Sequence, residues 1–158
     1  MRKLFKKKTV KIGILGGTFD PPHVGHLHIA KVAIKKIKLN RLFWIVSKKN
    51  PLKLKPYLNE KIRIKLSKEI TKKNKKIFVK YLDNKIKSKN TFDLLNHIKN
   101  KNKKFKLFFL IGADNLIKFH RWNNWKKIPE LAKIVVFPRG NYLIQKNKYI
   151  VTKGLKKK

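Results

Sequence analysis

A glycine-, proline- and histidine-rich stretch at residues 16–26, Gly-Gly-Thr-Phe-Asp-Pro-Pro-His-Val-Gly-His, constrains the fold of this chain most strongly. The apolar run at 10–15 precedes it and predicts a buried strand. After it, apolar residues recur at helical spacing, at Leu27, Ala30 and Ile34. The stretch therefore joins a strand to a helix. In open α/β sheets ligands bind at such junctions, and the N–H groups at a helix start bind anions.

The residue types in this stretch agree with a phosphate-binding loop. Its two leading glycines lack a Cβ, so backbone can approach a bulky ligand closely. His23 and His26 lie one helical turn apart and can point to the same side. Imidazole N–H groups placed there would donate to phosphate oxygens. Two alternatives stay open: a tight turn with no ligand, and a metal site that takes its third ligand from Asp20 or His28.

As a unit, the eleven residues resemble the signature of the His-x-Gly-His nucleotidyltransferases, in which both histidines face the phosphates of ATP. Within that superfamily, Gly-Gly-Thr-Phe-Asp-Pro resembles the nicotinate-nucleotide adenylyltransferases. Pantetheine-phosphate adenylyltransferases usually carry Thr where this chain has His23. The resemblance implies catalytic roles for His23 and His26. It also implies that four residues contact ATP or its phosphates: Gly16, Gly17, Thr18 and Phe19.

The same resemblance implies an activity and a fold. The activity is transfer of the adenylyl group from ATP to nicotinate mononucleotide, giving deamido-NAD and pyrophosphate. The fold is a Rossmann-like open parallel sheet with helices on both faces. Two alternative functions are another adenylyltransferase of the superfamily, of the pantetheine-phosphate type, and an inactive or truncated basic domain that binds nucleotide or nucleic acid.

Alternation of strands and helices along the chain independently predicts an α/β fold with a parallel sheet and right-handed crossovers. Further strands are predicted at 42–46, 77–81, 105–111 and 134–137. Asn59 is expected to cap a helix that packs through Ile62, Leu66 and Ile70, and Asn90 or Thr91 the next helix. The 158 residues predict a single domain, with 10–142 matching the family and basic tails at 1–9 and 143–158.

Two later positions are candidates for binding the mononucleotide. Asp114 follows a glycine at the end of a predicted strand, where a carboxylate can accept hydrogen bonds from ribose hydroxyls. Trp122 resembles the family's tryptophan that stacks on the pyridine ring, a flat partner suited to an indole face. The alternative is that Trp122 is a core residue, as we expect for Trp125.

Three more positions rest mainly on the resemblance. Lys53, after Asn50 and Pro51, is similar to the family lysine that reaches the phosphates. Arg139 matches the arginine of the loop after the last strand, near the phosphates or the adenine. Thr91 belongs to a segment similar to one beside the nicotinate, although it can equally be a helix cap.

One departure from the family pattern concerns residues 143–158. The family normally carries an Ile-Ser-Ser-Thr-x-x-Arg motif that holds the ATP phosphates, and nothing in this segment matches it. A chain shortened in evolution, a frameshift, and lysines acting as substitutes are three explanations. The resemblance is therefore to a C-terminally shortened member, which leaves its activity open.

The charge is extreme, with 44 Lys and Arg against 7 Asp and Glu and a formal net charge of +37. Such a charge attracts polyanions. Only five of the basic residues are arginine, the usual specific contact to phosphate and guanine. The abundant lysine, asparagine and isoleucine favour drift in an AT-rich genome, so nucleic-acid binding is expected only as non-specific attraction.

Other function classes are excluded or disfavoured by composition. The absence of cysteine excludes thiolate catalysis and disulfides and agrees with a cytoplasmic protein. No apolar run reaches membrane-spanning length. Because acidic residues are so few, we expect no protein metal site, and Mg²⁺ to arrive with ATP.

Overall fold

The computed structural model describes residues 9–50, 54–88, 90–138 and 150–152, and its centre is one six-stranded sheet. The strands are β1 (Val10–Gly17), β2 (Arg41–Val46), β3 (Ile77–Lys80), β4 (Phe105–Gly112), β5 (Ala132–Phe137) and β6 (Ile150–Thr152). The helices are α1 (Val24–Ile37), α2 (Glu60–Thr71), α3 (Asp83–Ile86), α4 (Thr91–Lys101), α5 (Ala113–Ile117) and α6 (Ile128–Leu131). Two 3₁₀ turns cover Phe119–Arg121 and Trp125–Lys127.

The strand order, β3-β2-β1-β4-β5-β6, confirms the predicted Rossmann-like sheet. The first five strands pair in parallel, with Gly17 beside Val46 and Gly112 beside Phe137 at their carboxyl ends. The order reverses between β1 and β4, and at such a switch point the flanking loops diverge and leave a crevice for a ligand.

Helices cover both faces of the sheet, because β1, β2, β4 and β5 each contribute apolar side chains to two separate cores. On one face, α1 buries Ala30 and Ala33 against Leu42, Trp44 and Leu110. The core of the other face includes Leu95 and Ile98 of α4 and, from the sheet, Ile12, Ile14, Phe43 and Phe109. Near-continuous apolar strands are what a sheet buried on both sides requires. Within the described ranges, no helix has the length and apolar character that a membrane crossing needs.

Strand β6 lies in the segment that the sequence predicts to be a basic tail. It runs antiparallel to β5, with Ile134 opposite Thr152 and Val136 opposite Ile150. Isoleucine, valine and threonine are residue types enriched in strands, and pairing there covers the edge that β5 would otherwise present.

The rotation of α2 differs from the prediction. The predicted N-terminus of α2 is confirmed, because the Asn59 side chain accepts a hydrogen bond from the Ile62 N–H. Ile70 is half-buried against the core, but Ile62 and Leu66 are 41% and 38% exposed. The buried residues of α2 are instead Arg63, Ser67 and Thr71. A polar stripe thus faces inward, and the hydrogen bonds of Arg63 described below fix this rotation.

Candidate active site

The carboxyl ends of β1 and β4 meet at the switch point, and two candidate segments follow them directly. Residues 16–26 lead from β1 into α1, and Asp114 stands in the first turn of α5, immediately after β4. Gly16 is exposed, and a Cβ built on it would meet no atom within 4 Å. The backbone at Gly16 is therefore open to a ligand.

The two histidines form a reciprocal cap on α1. His23 is the N-cap residue, and its Nδ1 accepts a hydrogen bond from the Gly25 N–H at 3.1 Å. The Nδ1 of His26 accepts one from the His23 N–H at 3.3 Å. The two ring centroids are 3.8 Å apart, so the prediction that both rings point to one side is confirmed.

These caps determine which nitrogen of each neutral ring carries the hydrogen. Because Nδ1 of both His23 and His26 accepts, the hydrogen-bond pattern assigns the N–H to Nε2. The first turn of α1 contains no acidic residue that would compete with an anion. Two Nε2–H donors beside the N-terminus of α1 suit phosphate oxygens.

Gly25 has a reason to be glycine that the sequence did not show. A Cβ at this position would lie 3.0 Å from both Cε1 and Nδ1 of His23. Any larger residue would push the imidazole away from the Gly25 N–H that it caps. The glycine between the two histidines therefore sets the position of the His23 ring.

Phe19 anchors the middle of the loop. It is buried, stacks on Trp44 with ring centroids 4.4 Å apart, and contacts the His26 ring edge-on at 5.0 Å. Its φ of 51° lies in the left-handed region, which costs a non-glycine residue about 1–3 kcal/mol. Packing against Trp44 holds this strained backbone, and Thr18 and His26 are positioned on either side of it.

Sequence reasoning missed Arg63, which the structure places behind the loop. Its buried guanidinium donates hydrogen bonds to the carbonyls of Thr18, Ser47, Lys48 and Leu58. A signal was present: the chain uses lysine at 39 of its 44 basic positions, so an arginine within a helix marks a place where lysine does not suffice.

Asp20 was considered only as a metal ligand, and the structure gives it another role. Its carboxylate accepts hydrogen bonds from the backbone N–H groups of Tyr57 and Leu58, just before α2. Among the described residues, no group of three or more His, Asp or Glu side chains is placed to hold a metal ion. Asp20 therefore joins two segments of the chain.

On the β4 side of the switch point, Trp122 is half-buried. Its ring contacts those of Phe109 and Phe119, at centroid distances of 5.9 and 5.3 Å. Trp125, expected in the core, is half-buried as well and packs on Phe119 at 6.0 Å. Both tryptophans thus rest on the core with part of each side chain exposed.

The remaining candidates are Thr91, Lys53 and Arg139. Asn90, not Thr91, caps α4, since its side chain accepts from the Asp93 N–H at 2.9 Å. Thr91 is the first residue of α4 and is half-buried. Lys53 and Arg139 lie outside the described residues.

Comparison with known proteins decides the family. A family model described as "Cytidylyltransferase-like" matches residues 14–155. A probable nicotinate-nucleotide adenylyltransferase from Pelagibacter ubique is 46% identical over 154 residues, which cover 98% of this chain and 84% of that protein. A relative of the same name from a Ruegeria species is 36% identical over 128 residues, or 81% of this chain and 67% of that protein.

The chain belongs to the cytidylyltransferase-like family and, within it, to the nicotinate-nucleotide adenylyltransferases.

Solved structures agree with this assignment. A putative nicotinate-nucleotide adenylyltransferase from Vibrio parahaemolyticus superposes with a TM-score of 0.67 at 25% identity, covering 80% of this chain and 76% of that one. The nicotinic acid mononucleotide adenylyltransferase of Plasmodium falciparum, complexed with APC, gives 0.72 at 20% identity over 86% and 67%. A second structure of the Plasmodium enzyme is complexed with NaAD. At 20% identity, the Plasmodium structures support the nicotinate-nucleotide adenylyltransferase fold alone.

Proposed function

We propose that this chain transfers the adenylyl group of ATP to nicotinate mononucleotide, releasing pyrophosphate and forming deamido-NAD. The observation that carries the proposal is the reciprocal cap of His23 and His26, which brings two imidazole rings together at the start of α1, in the loop that follows β1. The names of the Pelagibacter and Ruegeria relatives support the same substrates.

The reaction needs no protein nucleophile. A phosphate oxygen of the mononucleotide attacks the α-phosphorus of ATP, the bond from that phosphorus to the bridging oxygen breaks, and pyrophosphate leaves. Positioning and stabilisation of the developing charge then supply most of the catalysis. The Nε2–H groups of His23 and His26 donate to the phosphate oxygens, while Gly16, Gly17, Thr18 and Phe19 shape the loop that receives ATP.

The family resemblance divides substrate recognition between two groups of residues. Lys53 and Arg139 are assigned to the phosphates or adenine side of the nucleotide, as the family resemblance implies. Asp114 would accept hydrogen bonds from ribose hydroxyls, Trp122 would stack on the pyridine ring, and Thr91 would border the nicotinate.

Mg²⁺ is proposed to enter with the triphosphate. It prefers oxygen ligands, keeps several waters and commonly binds through substrate phosphates rather than through a protein cage. There it would offset negative charge on the phosphates. The use of ATP and the absence of cysteine both agree with the predicted cytoplasmic location.

A direct test is an adenylyl-transfer assay with purified protein, ATP and Mg²⁺, followed by detection of pyrophosphate and the dinucleotide. Nicotinate mononucleotide should be a substrate, and parallel reactions with nicotinamide mononucleotide establish the pyridine preference. Turnover of phosphopantetheine instead would identify the pantetheine-phosphate type. If no acceptor releases pyrophosphate, the chain is a basic binding domain. Its charge-driven binding of nucleic acid, which stays a prediction, is then measured with random-sequence duplex across a salt series.

A further inference from the structure

Arg63 connects three segments of the chain by hydrogen bonds. Only 2% of the residue is exposed. Its guanidinium donates to the Thr18 carbonyl in the loop after β1, and to the carbonyls of Ser47 (2.7 Å) and Lys48 (3.1 Å) after β2. Its Nε donates to the Leu58 carbonyl at 3.1 Å, just before α2. One side chain thus fixes the relative positions of both loops and the start of α2.

Asp20 strengthens the same connection from the opposite side. Its Oδ1 accepts a hydrogen bond from the Leu58 N–H at 2.8 Å, and its Oδ2 accepts one from the Tyr57 N–H. Leu54 and Tyr57 are 93% and 95% exposed, so neither side chain anchors this segment in the core. Hydrogen bonds to Arg63 and Asp20 therefore hold the backbone of Tyr57 and Leu58 against the loop after β1.

The charge of Arg63 is unusual for a buried group. Of the carboxylates that the structure describes, none forms a salt bridge with it; the pair that does occur joins Lys72 and Glu69 on the surface. Burying a guanidinium without a direct carboxylate partner is costly, and among the described residues the carbonyl dipoles of Thr18, Ser47, Lys48 and Leu58 offset that cost. Its positive charge lies against the backbone of the loop that contains Thr18.

Lysine could not replace these contacts. Arg63 uses Nε, Nη1 and Nη2 at once, in the planar fork that a guanidinium provides. An ammonium is a compact point charge on a flexible stem and cannot reach carbonyls on three segments in one plane.

We propose that Arg63 is a positioning residue of the triphosphate site. It holds Thr18, Ser47, Lys48 and Leu58 at the separation that a bound polyphosphate requires, and its positive charge at the Thr18 carbonyl favours that polyphosphate. The assignment rests on the proposed function in one respect only, that the ligand of this loop is ATP.

The test compares Arg63→Lys with Ile70→Ala, a substitution on the same helix that removes core packing without touching either loop. For Arg63→Lys we expect the KM for ATP to rise about 10–100-fold, as for a misplacement behind a reacting group, with the mononucleotide KM nearly unchanged. Ile70→Ala should lower Tm without separating the two KM values. Equal KM values for ATP in the two variants would overturn the proposal.

A binding measurement keeps this result separate from the fate of the proposed function. Inorganic pyrophosphate should raise the Tm of the wild-type protein, and clearly less that of Arg63→Lys. This difference without any adenylyl transfer would support the role of Arg63 and reject the proposed function. An equal Tm shift in both proteins would reject the role of Arg63.

Asp20→Asn serves if the Arg63 variant does not fold. This substitution weakens the hydrogen bonds that the Asp20 carboxylate accepts from the Tyr57 and Leu58 N–H groups, and it leaves the buried charge of Arg63 in place. We expect a smaller increase in the KM for ATP, again with the mononucleotide KM retained. An ATP KM equal to that of the wild type would contradict the positioning role.

Discussion

Different kinds of interaction stabilise the two sides of the switch point. On the β1 side, side chains hold backbone: His23 and His26 cap α1, and Arg63 and Asp20 bind loop carbonyls and N–H groups. On the β4 side, aromatic packing stabilises the structure, with the Trp122 ring in contact with the rings of Phe109 and Phe119.

This difference indicates what each side can recognise. Hydrogen bonds are directional, so the β1 side can fix donors at the places where charge develops on phosphate. Aromatic packing is less directional, and it presents a flat apolar face suited to a ring. Substitutions on the β1 side should therefore affect turnover or the KM for ATP, and substitutions on the β4 side should affect affinity for the mononucleotide.

Among these predictions, the largest effect is expected for His26→Ala. Loss of a preorganised phosphate donor should lower kcat by about 10² or more, with much less change in mononucleotide binding. His28→Ala is the matched control, because His28 is an exposed histidine of the same helix. Steady-state kinetics of both variants measure the change in kcat. Their Tm values measure how much stability is lost when the helix cap is removed. Near-normal turnover of His26→Ala would show that the phosphate role is wrong.

On the β4 side, Trp122→Ala should weaken mononucleotide binding by about 1–3 kcal/mol, the range measured for stacking of bases on aromatic rings. ATP affinity should change little. Trp125→Ala is the matched control, since Trp125 packs on the same Phe119 ring. Calorimetric titration with each ligand tests both variants. Equal losses for the two ligands, together with a lower Tm, would instead identify Trp122 as a core residue.

The salt dependence of the two KM values tests the same difference between the two sides without any mutation. The lysine assigned to the phosphates would act as a point charge, and the attraction of an exposed charge for ATP is screened by ions. The KM for ATP should rise several-fold between about 0.05 and 0.5 M salt, as the Debye length falls. The KM for the mononucleotide, held largely by ring stacking, should rise less. An ATP KM that is low and independent of salt would reveal a phosphate site beyond these residues.

The smallest effect concerns Tyr81, which supports the start of α2 by donating a hydrogen bond to Glu60 at 2.9 Å. Burial and the neighbouring Glu60 carboxylate raise the pKa of Tyr81 to about 12. The phenol is therefore more readily ionised in the unfolded chain, where its pKa is about 10. Its contribution to stability is complete below pH 10 and is lost as pH rises from about 10 through 12.

Tyr81→Phe should accordingly be less stable than wild type at pH 8, and the difference should narrow toward pH 12. Denaturant unfolding at several pH values measures it. Tyr57→Phe is the control, because Tyr57 is 95% exposed. A difference that stays constant with pH would contradict the assigned pKa.

Much of the fold was predictable because local patterns and their burial agree. Apolar runs bounded by loops gave β2, β3, β4 and β5 within two residues at each end. Asn59 caps α2 as predicted, since its side chain reaches an N–H only three residues away. Helical periodicity failed for α2, where Ile62 and Leu66 are exposed and a polar stripe faces inward. Spacing identifies faces of a helix but not which face will be buried.

For the site, the sequence by itself determined the strand-to-helix loop, the paired histidines and the residues after β4. These follow from short-range chemistry: glycine freedom, helix spacing and the position of strand ends. Only the tertiary structure decided how the loop is held. Arg63 lies 45 residues beyond Thr18 and 15 beyond Lys48 along the chain. Its hydrogen bonds to Thr18, Ser47 and Lys48 exist only once the sheet has brought the loops after β1 and β2 to one buried guanidinium, and no local pattern predicts those contacts.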